Sequence, residues 1–276
     1  MLRLFRSKTI DAPKPAAKKP SPAKAEPREI EILHEGAAYR VSLKRVAAAK
    51  RYTLRLRAAN QDLVLTMPLR GSIRAAQDFA ERHAGWIGAR MRQLPQNVPF
   101  AAGARIPFRG IEHEIVLTTR LRGLVEAAQG EHGAELRVPG GAAHVERRLR
   151  DFLRQQARAD LELAVAKYCT ALGLPARGVA LKDTASRWGS CSSRGALNFS
   201  WRLIFAPPFV LDYLAAHEVA HLKHLDHSGN FWRVTRQLCP GIDAAEAWLK
   251  ANGAGLHRFG KAEGQGFAPK YSGLLR

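Results

Sequence analysis

The stretch Pro207-Pro208-Phe209-Val210-Leu211-Asp212-Tyr213-Leu214-Ala215-Ala216-His217-Glu218-Val219-Ala220-His221 decides how the second half of this chain is read. Paired prolines are a helix start signal, and the apolar run behind them holds no breaker, so a helix is expected through the H-E-x-x-H at 217–221. On a helix, residues four apart are offset by about 40° and about 6 Å along the axis, so imidazoles at His217 and His221 can converge on one ion. Glu218 follows the first histidine and points to a neighbouring direction, within reach of water at that ion. That is the placement of a general base.

Catalytic zinc sites usually take three protein ligands and leave a fourth position open, so a third donor is expected. His224 returns to nearly the same helical face, but seven residues past His217 it stands about 10 Å up a straight axis. His227 is the better candidate if the chain turns back after residue 224, and Asp226, Ser228 and Gly229 are suitable turn and cap residues for that. His224 then falls to the pocket edge or behind the ligands.

Upstream of the helix, Ser186-Arg187-Trp188-Gly189-Ser190-Cys191-Ser192-Ser193-Arg194-Gly195 reads as a Gly/Ser loop. Ala196 to Leu203 alternates as a strand does, and the part around Leu197 to Leu203 is expected to offer an edge to an extended peptide. Cys191 has no base beside it in sequence, which argues against a thiol nucleophile. For the group that stabilises developing negative charge, Arg202, His224 and Tyr213 are candidates; ordinary packing is the simpler reading of Tyr213.

The combination of Arg187-Trp188-Gly189-Ser190-Cys191-Ser192-Ser193, Asn198 through Trp201-Arg202-Leu203-Ile204, His217-Glu218-x-x-His221 and His227-Ser228-x-x-Phe231-Trp232 resembles the YgjP-like family of predicted zinc metallopeptidases, related to SprT-like and other gluzincin-type proteins. The likeness runs from about residue 40 to 255. It implies a compact α+β, zincin-like catalytic domain with the H-E-x-x-H helix under a small mixed sheet, with the metal-ligand role carried to His217, His221 and His227. Zinc-dependent hydrolysis of peptide bonds is the activity it implies, with Zn2+ the one cofactor and Glu218 the catalytic base.

Towards the N-terminus the pattern changes period. From Glu29 to about Thr66 apolar and polar residues alternate, as in Tyr52-Thr53-Leu54-Arg55-Leu56-Arg57, and predict short antiparallel strands. Ser72 stands at an N-cap position before one amphipathic helix reaching about Leu94. Alternation returns between Pro99 and Pro139, His144 to Leu172 reads as a long helix stopped by Gly173, and a strand follows near Val179 to Asp183. The expected organisation is a basic Pro/Ala/Lys tail over 1–28, a β-rich part with one helix over 29–142, a catalytic part over 143–255 and a C-terminal tail over 256–276.

Composition limits the alternatives. With 276 residues and 46% hydrophobic content the chain can bury a substantial core. The three cysteines lack any C-x-x-C spacing, so neither a disulfide framework nor a cysteine metal site is indicated, and a reducing, cytoplasmic location is expected. No apolar stretch approaches the roughly 20 residues of a membrane span. Forty-four Lys and Arg against 24 Asp and Glu give a formal charge of +20, which attracts anionic partners. Two rival readings follow from it: a zinc hydrolase of nucleotides or phosphoanhydrides, and a nucleic-acid-associated SprT-like protease or binding protein. No Walker-type loop supports the first, and no basic stripe interleaved with aromatics supports the second.

Overall fold

Alternating sequence in the N-terminal third folds into two sheets of the same design. The computed structural model describes residues 27–57, 62–184 and 186–261. The first sheet holds β1 (Glu29–His34), β2 (Ala37–Val46), β3 (Thr53–Arg57) and β4 (Asp62–Pro68) in the order β1-β2-β4-β3. The second holds β5 (Arg105–Phe108), β6 (Ile111–Thr118), β7 (Glu126–Gly130) and β8 (Gly133–Pro139) in the order β5-β6-β8-β7. In each, the first two strands pair antiparallel, the second and fourth parallel, and the third and fourth antiparallel. Each opening hairpin closes on two residues with positive φ: Glu35 (49°) and Gly36 (75°), then Arg109 (52°) and Gly110 (80°). Such a turn matches the twist of the flanking strands, which is why Gly occupies its second position both times.

Helices cover the two sheets differently. Over the first lie α1 (Ile73–Arg82) and α2 (Ala84–Arg92), and Ser72 caps α1 by accepting from the Ala75 N–H. The single helix expected here is broken at His83, whose N–H turns back to the Ala80 and Glu81 carbonyls. Ile32, Val41, Leu65 and Met67 pack there against Ala76, Ala80 and Ile87 in a closed core. The second sheet is covered by α3 (Val145–Leu172), a helix of 28 residues ended by Gly173 at φ 70°. Buried residues recur along one face of α3, and they belong to two cores in succession. Val145, Leu149, Leu153 and Ala157 pack on Ile106, Ile115 and Leu136, whereas Leu161, Val165 and Tyr168 pack on the last part of the chain.

That last part holds β9 (Gly178–Lys182), β10 (Gly189–Cys191) and β11 (Ala196–Ser200), a 3-10 segment Trp201–Phe205, then α4 (Pro208–Ala220), α5 (Gly229–Leu238) and α6 (Ile242–Leu256). The sheet order is β10-β11-β9, with β11 parallel to β9 and antiparallel to β10. It is therefore a small mixed sheet in an α+β fold. The strand expected to reach Leu203 stops at Ser200, because Trp201 to Phe205 are all buried and an alternating strand cannot bury consecutive side chains on one face. Helix α4 begins with Pro208 in its first turn and is buried almost all round, as expected of a helix with no polar stripe.

The expectation of a tail from residue 256 is also corrected. Leu256, His257 and Phe259 are buried, the Val98 N–H donates to the Arg258 carbonyl and the Val98 carbonyl accepts from the Gly260 N–H, so the core reaches residue 260. The tail expected over 1–28 lies, up to residue 26, outside the described residues, as do residues 262–276. Among the described residues no helix is long and apolar enough to cross a membrane.

Candidate metal centre

Helix α4 delivers the first two imidazoles from one face, and its end delivers the third. Beyond Ala220 the N–H groups of Leu222 and Lys223 bond to the carbonyls three residues back, which tightens and terminates the helix. The chain then bends through Leu225 and Asp226, where Asp226 Oδ1 accepts from the Ser228 N–H before α5 begins. This reversal brings His227 back. His227 Nε2 lies 3.2 Å from His217 Nε2, and one ring nitrogen from each of His217, His221 and His227 falls within 4.8 Å of the others.

Hydrogen bonds behind the rings decide which nitrogen faces inward. His221 Nδ1 is 2.9 Å from the His224 carbonyl, which can only accept, so Nδ1 carries the proton and Nε2 keeps its lone pair. Burial holds His217 down to about 4, helped by the neighbouring His221 and His227, and burial also holds His221 below its ordinary value. Both rings are thus neutral imidazoles near pH 7, the form that ligates metal.

Glu218 is only 4% exposed, and its Oε2 has no hydrogen-bond partner among the described residues. Burial pushes its pKa up to about 7, against the opposing pull of the Arg187 charge. Above it lies Gly189 of β10. A Cβ there would stand 2.4 Å from Glu218 Oε1 and 2.7 Å from Cγ, so any other residue would have to displace the Glu218 side chain. An unpartnered buried carboxyl group beside three converging imidazoles is a costly arrangement without a cation. The donor set fits a divalent metal of the imidazole-binding type.

The cleft over these groups encloses about 390 Å³, walled on one side by Arg187, Gly189, Ser190 and Cys191 and on the other by Leu225. Burial and the Glu218 charge push the Cys191 thiol up, so it stands as a thiol and not as a nucleophile.

Two expected residues lie elsewhere. Arg202 is 4% exposed and bonds Asp183 through Nε (2.6 Å) and Nη2 (3.2 Å) and the Phe259 carbonyl through Nη1 (2.7 Å). Its donors hold the C-terminal turn in place, and it is not on the cleft wall. Nor is the His224 side chain, which leaves its carbonyl as that residue's contribution to the cluster. The cation of the cleft is Arg187, quoted in the loop motif but given no role on sequence grounds. Glu246, which meets Tyr213 across α4 and α6, also went unnoticed, because 33 residues separate the pair and no spacing rule links them.

A scan of protein-family profiles matches the YgjP-like metallopeptidase domain over residues 51–252. The chain belongs to the YgjP-like metallopeptidase family. It is thereby a metal-dependent peptidase at the family level, and the histidine cluster lies inside the matched span. Among solved structures it is similar to the metallopeptidase zymogen abylysin of Pyrococcus abyssi, at 23% identity and a TM-score of 0.30, over 34% of this chain and 92% of that one. A comparison with curated protein sequences yields no match.

Proposed function

We propose that this YgjP-like chain hydrolyses peptide bonds with zinc held by His217, His221 and His227 and with Glu218 as general base. The observation that carries the reading is the convergence of three imidazole nitrogens within 4.8 Å beside a buried carboxylate. When bound, zinc supplies Lewis acidity toward a carbonyl oxygen and acidifies water. Glu218 takes the proton of the attacking water at its carboxylate and returns it to the leaving amine. A carboxylate raised to about 7 is suited to both transfers near neutral pH.

Substrate alignment falls to β10. The edge role expected of Leu197 to Leu203 does not hold, because β11 is flanked by β9 and β10. The sheet has edges at β10 and β9, and β10 is the one that lines the cleft beside Glu218. An extended peptide added there pairs through its main chain, which gives affinity without demanding particular side chains. Arg187 faces the same space and would meet negative charge on the carbonyl under attack or on an acidic neighbour.

A phosphoanhydride substrate is the second reading. It is favoured by Arg187, whose guanidinium has no hydrogen-bond or ion-pair partner among the described residues, and by the net charge of +20. Three free cysteines, Cys169, Cys191 and Cys239, accord with a cytoplasmic setting. The deciding experiment offers zinc-loaded and chelator-treated protein a casein-like polypeptide and, separately, nucleoside triphosphates. Zinc-dependent cleavage of the polypeptide is expected. Release of phosphate or pyrophosphate with the polypeptide intact would overturn the peptidase reading in favour of the second.

A further inference from the structure

His217 and His221 are both backed by an acceptor, but the two acceptors differ in kind. Behind His221 stands a main-chain carbonyl. Behind His217 stands Tyr213, one turn earlier on α4, with its Oη 3.3 Å from Nδ1 and 2.7 Å from Glu246 Oε1 of α6. Tyr213 is 3% exposed, so its hydroxyl has to find its partners inside the protein.

The protons in this chain have one consistent arrangement. The tyrosine hydroxyl donates its single proton to Glu246 Oε1 at 2.7 Å. With that proton committed, Tyr213 Oη can only accept from His217, and Nδ1 must carry the hydrogen. A neutral imidazole has one N–H, which leaves the lone pair on Nε2, the atom that faces His227 Nε2 at 3.2 Å. We propose that Tyr213 and Glu246 are positioning residues that fix the ring and tautomer of His217 and pass the Glu246 charge to it, raising its strength as a metal ligand. The inference rests on reading the three imidazoles as a metal site. It gives a role to a tyrosine that would otherwise be packing, and to an exposed acidic residue of α6.

The same molecule holds a control. Tyr168 is buried in α3 and donates to Asp212 of α4, a second tyrosine–carboxylate pair between helices, and its hydroxyl takes a further hydrogen bond from Lys167 and none from a histidine. If such pairs only clamp helices, replacing either tyrosine should have the same consequence. If the Tyr213 pair positions a ligand, the two should differ.

The test uses the full chain stripped of metal and titrated with zinc against a competing chelator. Tyr213→Phe, which keeps the ring and removes the hydroxyl, is expected to weaken zinc binding by about 10- to 100-fold. Glu246→Gln keeps an acceptor for the hydroxyl and loses the charge, so a smaller loss in the same direction is expected. Tyr168→Phe should leave zinc affinity unchanged. Nitrogen-15 spectra of histidine in the metal-free protein supply the readout that packing would not move: His217 protonated at Nδ1 in the parent, and mixed between nitrogens in Tyr213→Phe. Equal affinities for the parent and both Tyr213→Phe and Glu246→Gln would overturn the proposal, as would an equal loss from Tyr168→Phe. Glu246→Gln decides alone if Tyr213→Phe fails to fold. A parent chain that takes up no zinc would instead overturn the metal reading itself.

Discussion

The two four-stranded sheets share strand order, pairing sense and the conformation of their first turn, yet they stand in different relations to the candidate metal centre. In the first, the Glu35-Gly36 turn meets little: Glu35 pairs with Arg92 of α2, and nothing lies within 4 Å of where a Gly36 Cβ would be. In the second, the equivalent turn is a clasp. The Arg109 N–H donates to the Ile204 carbonyl at 2.7 Å, its guanidinium grips Asp160 and Gln156 of α3, and Gly110 lies against Pro207 at the start of α4. One topology thus serves as a closed unit in one place and as the foundation of the histidine-bearing helix in the other. What the turn touches decides which, and strand order does not.

The largest expected effect places the chemistry on the clasped side. Glu218→Gln should keep about one zinc per chain and lose about 10²- to 10⁴-fold in peptide hydrolysis, the range of a positioned base. Metal content by atomic absorption beside turnover checks this, and normal turnover with normal zinc would refute the mechanism.

Next come matched core deletions. Ile115 of β6 and Leu65 of β4 are both fully buried, and truncation to alanine should cost each sheet about 2–5 kcal/mol. Ile115→Ala should lower the denaturant midpoint at which zinc is released, because its core continues through α3 into Trp201 and Phe205. Leu65→Ala should leave that midpoint in place while loosening its own half. Equal shifts in zinc release would erase the distinction between the sheets.

The glycines of the two turns sharpen it further. Gly36→Ala meets only the strain of a positive φ, about 1–2 kcal/mol. Gly110→Ala meets that strain together with Pro207 Cα at 2.8 Å and N at 3.0 Å, both backbone atoms. It should cost more than its counterpart and also weaken zinc binding, since the displaced proline begins α4. Thermal unfolding of the two variants, read against each other, is the measurement.

The last effect appears only in acid. His257, stacked on Trp188 at 4.9 Å, is held down to about 4 by burial, then by the charges of Arg202 and Lys261, with Asp183 opposing. Its ordinary value in an unfolded chain is near 6.5. Above that pH it is neutral in both states. As pH falls from 6.5 to 4 the unfolded chain gains a proton the folded one resists, and stability falls by up to about 3 kcal/mol. His257→Gln should flatten that limb of the stability profile in the metal-free protein, and an unchanged slope would show that His257 does not contribute to it.

Local signals were legible in the sequence. Ser72 and Gly173 mark helix ends because capping is decided by one or two residues, and the H-E-x-x-H helix announces itself through its proline start and unbroken apolar run. The return of His227 follows from turn chemistry at Asp226 and Ser228. What escaped reading depends on distant partners. Arg202 looks available until Asp183, 19 residues away, and Phe259, 57 away, occupy its donors. The kinship of the two sheets rests on pairing and on one two-residue turn, which side-chain alternation does not encode. The edge position of β10 follows from β11 pairing with β9, a parallel contact across the intervening loop.

Gly189 has a consequence for how such a cleft can diverge. A Cβ at that strand position would stand 2.4 Å from Glu218 Oε1, so drift there is opposed by the Glu218 side chain. Ser190, Cys191 and Leu225 border the same space. An engineer reshaping substrate preference would vary those three and leave residue 189 untouched.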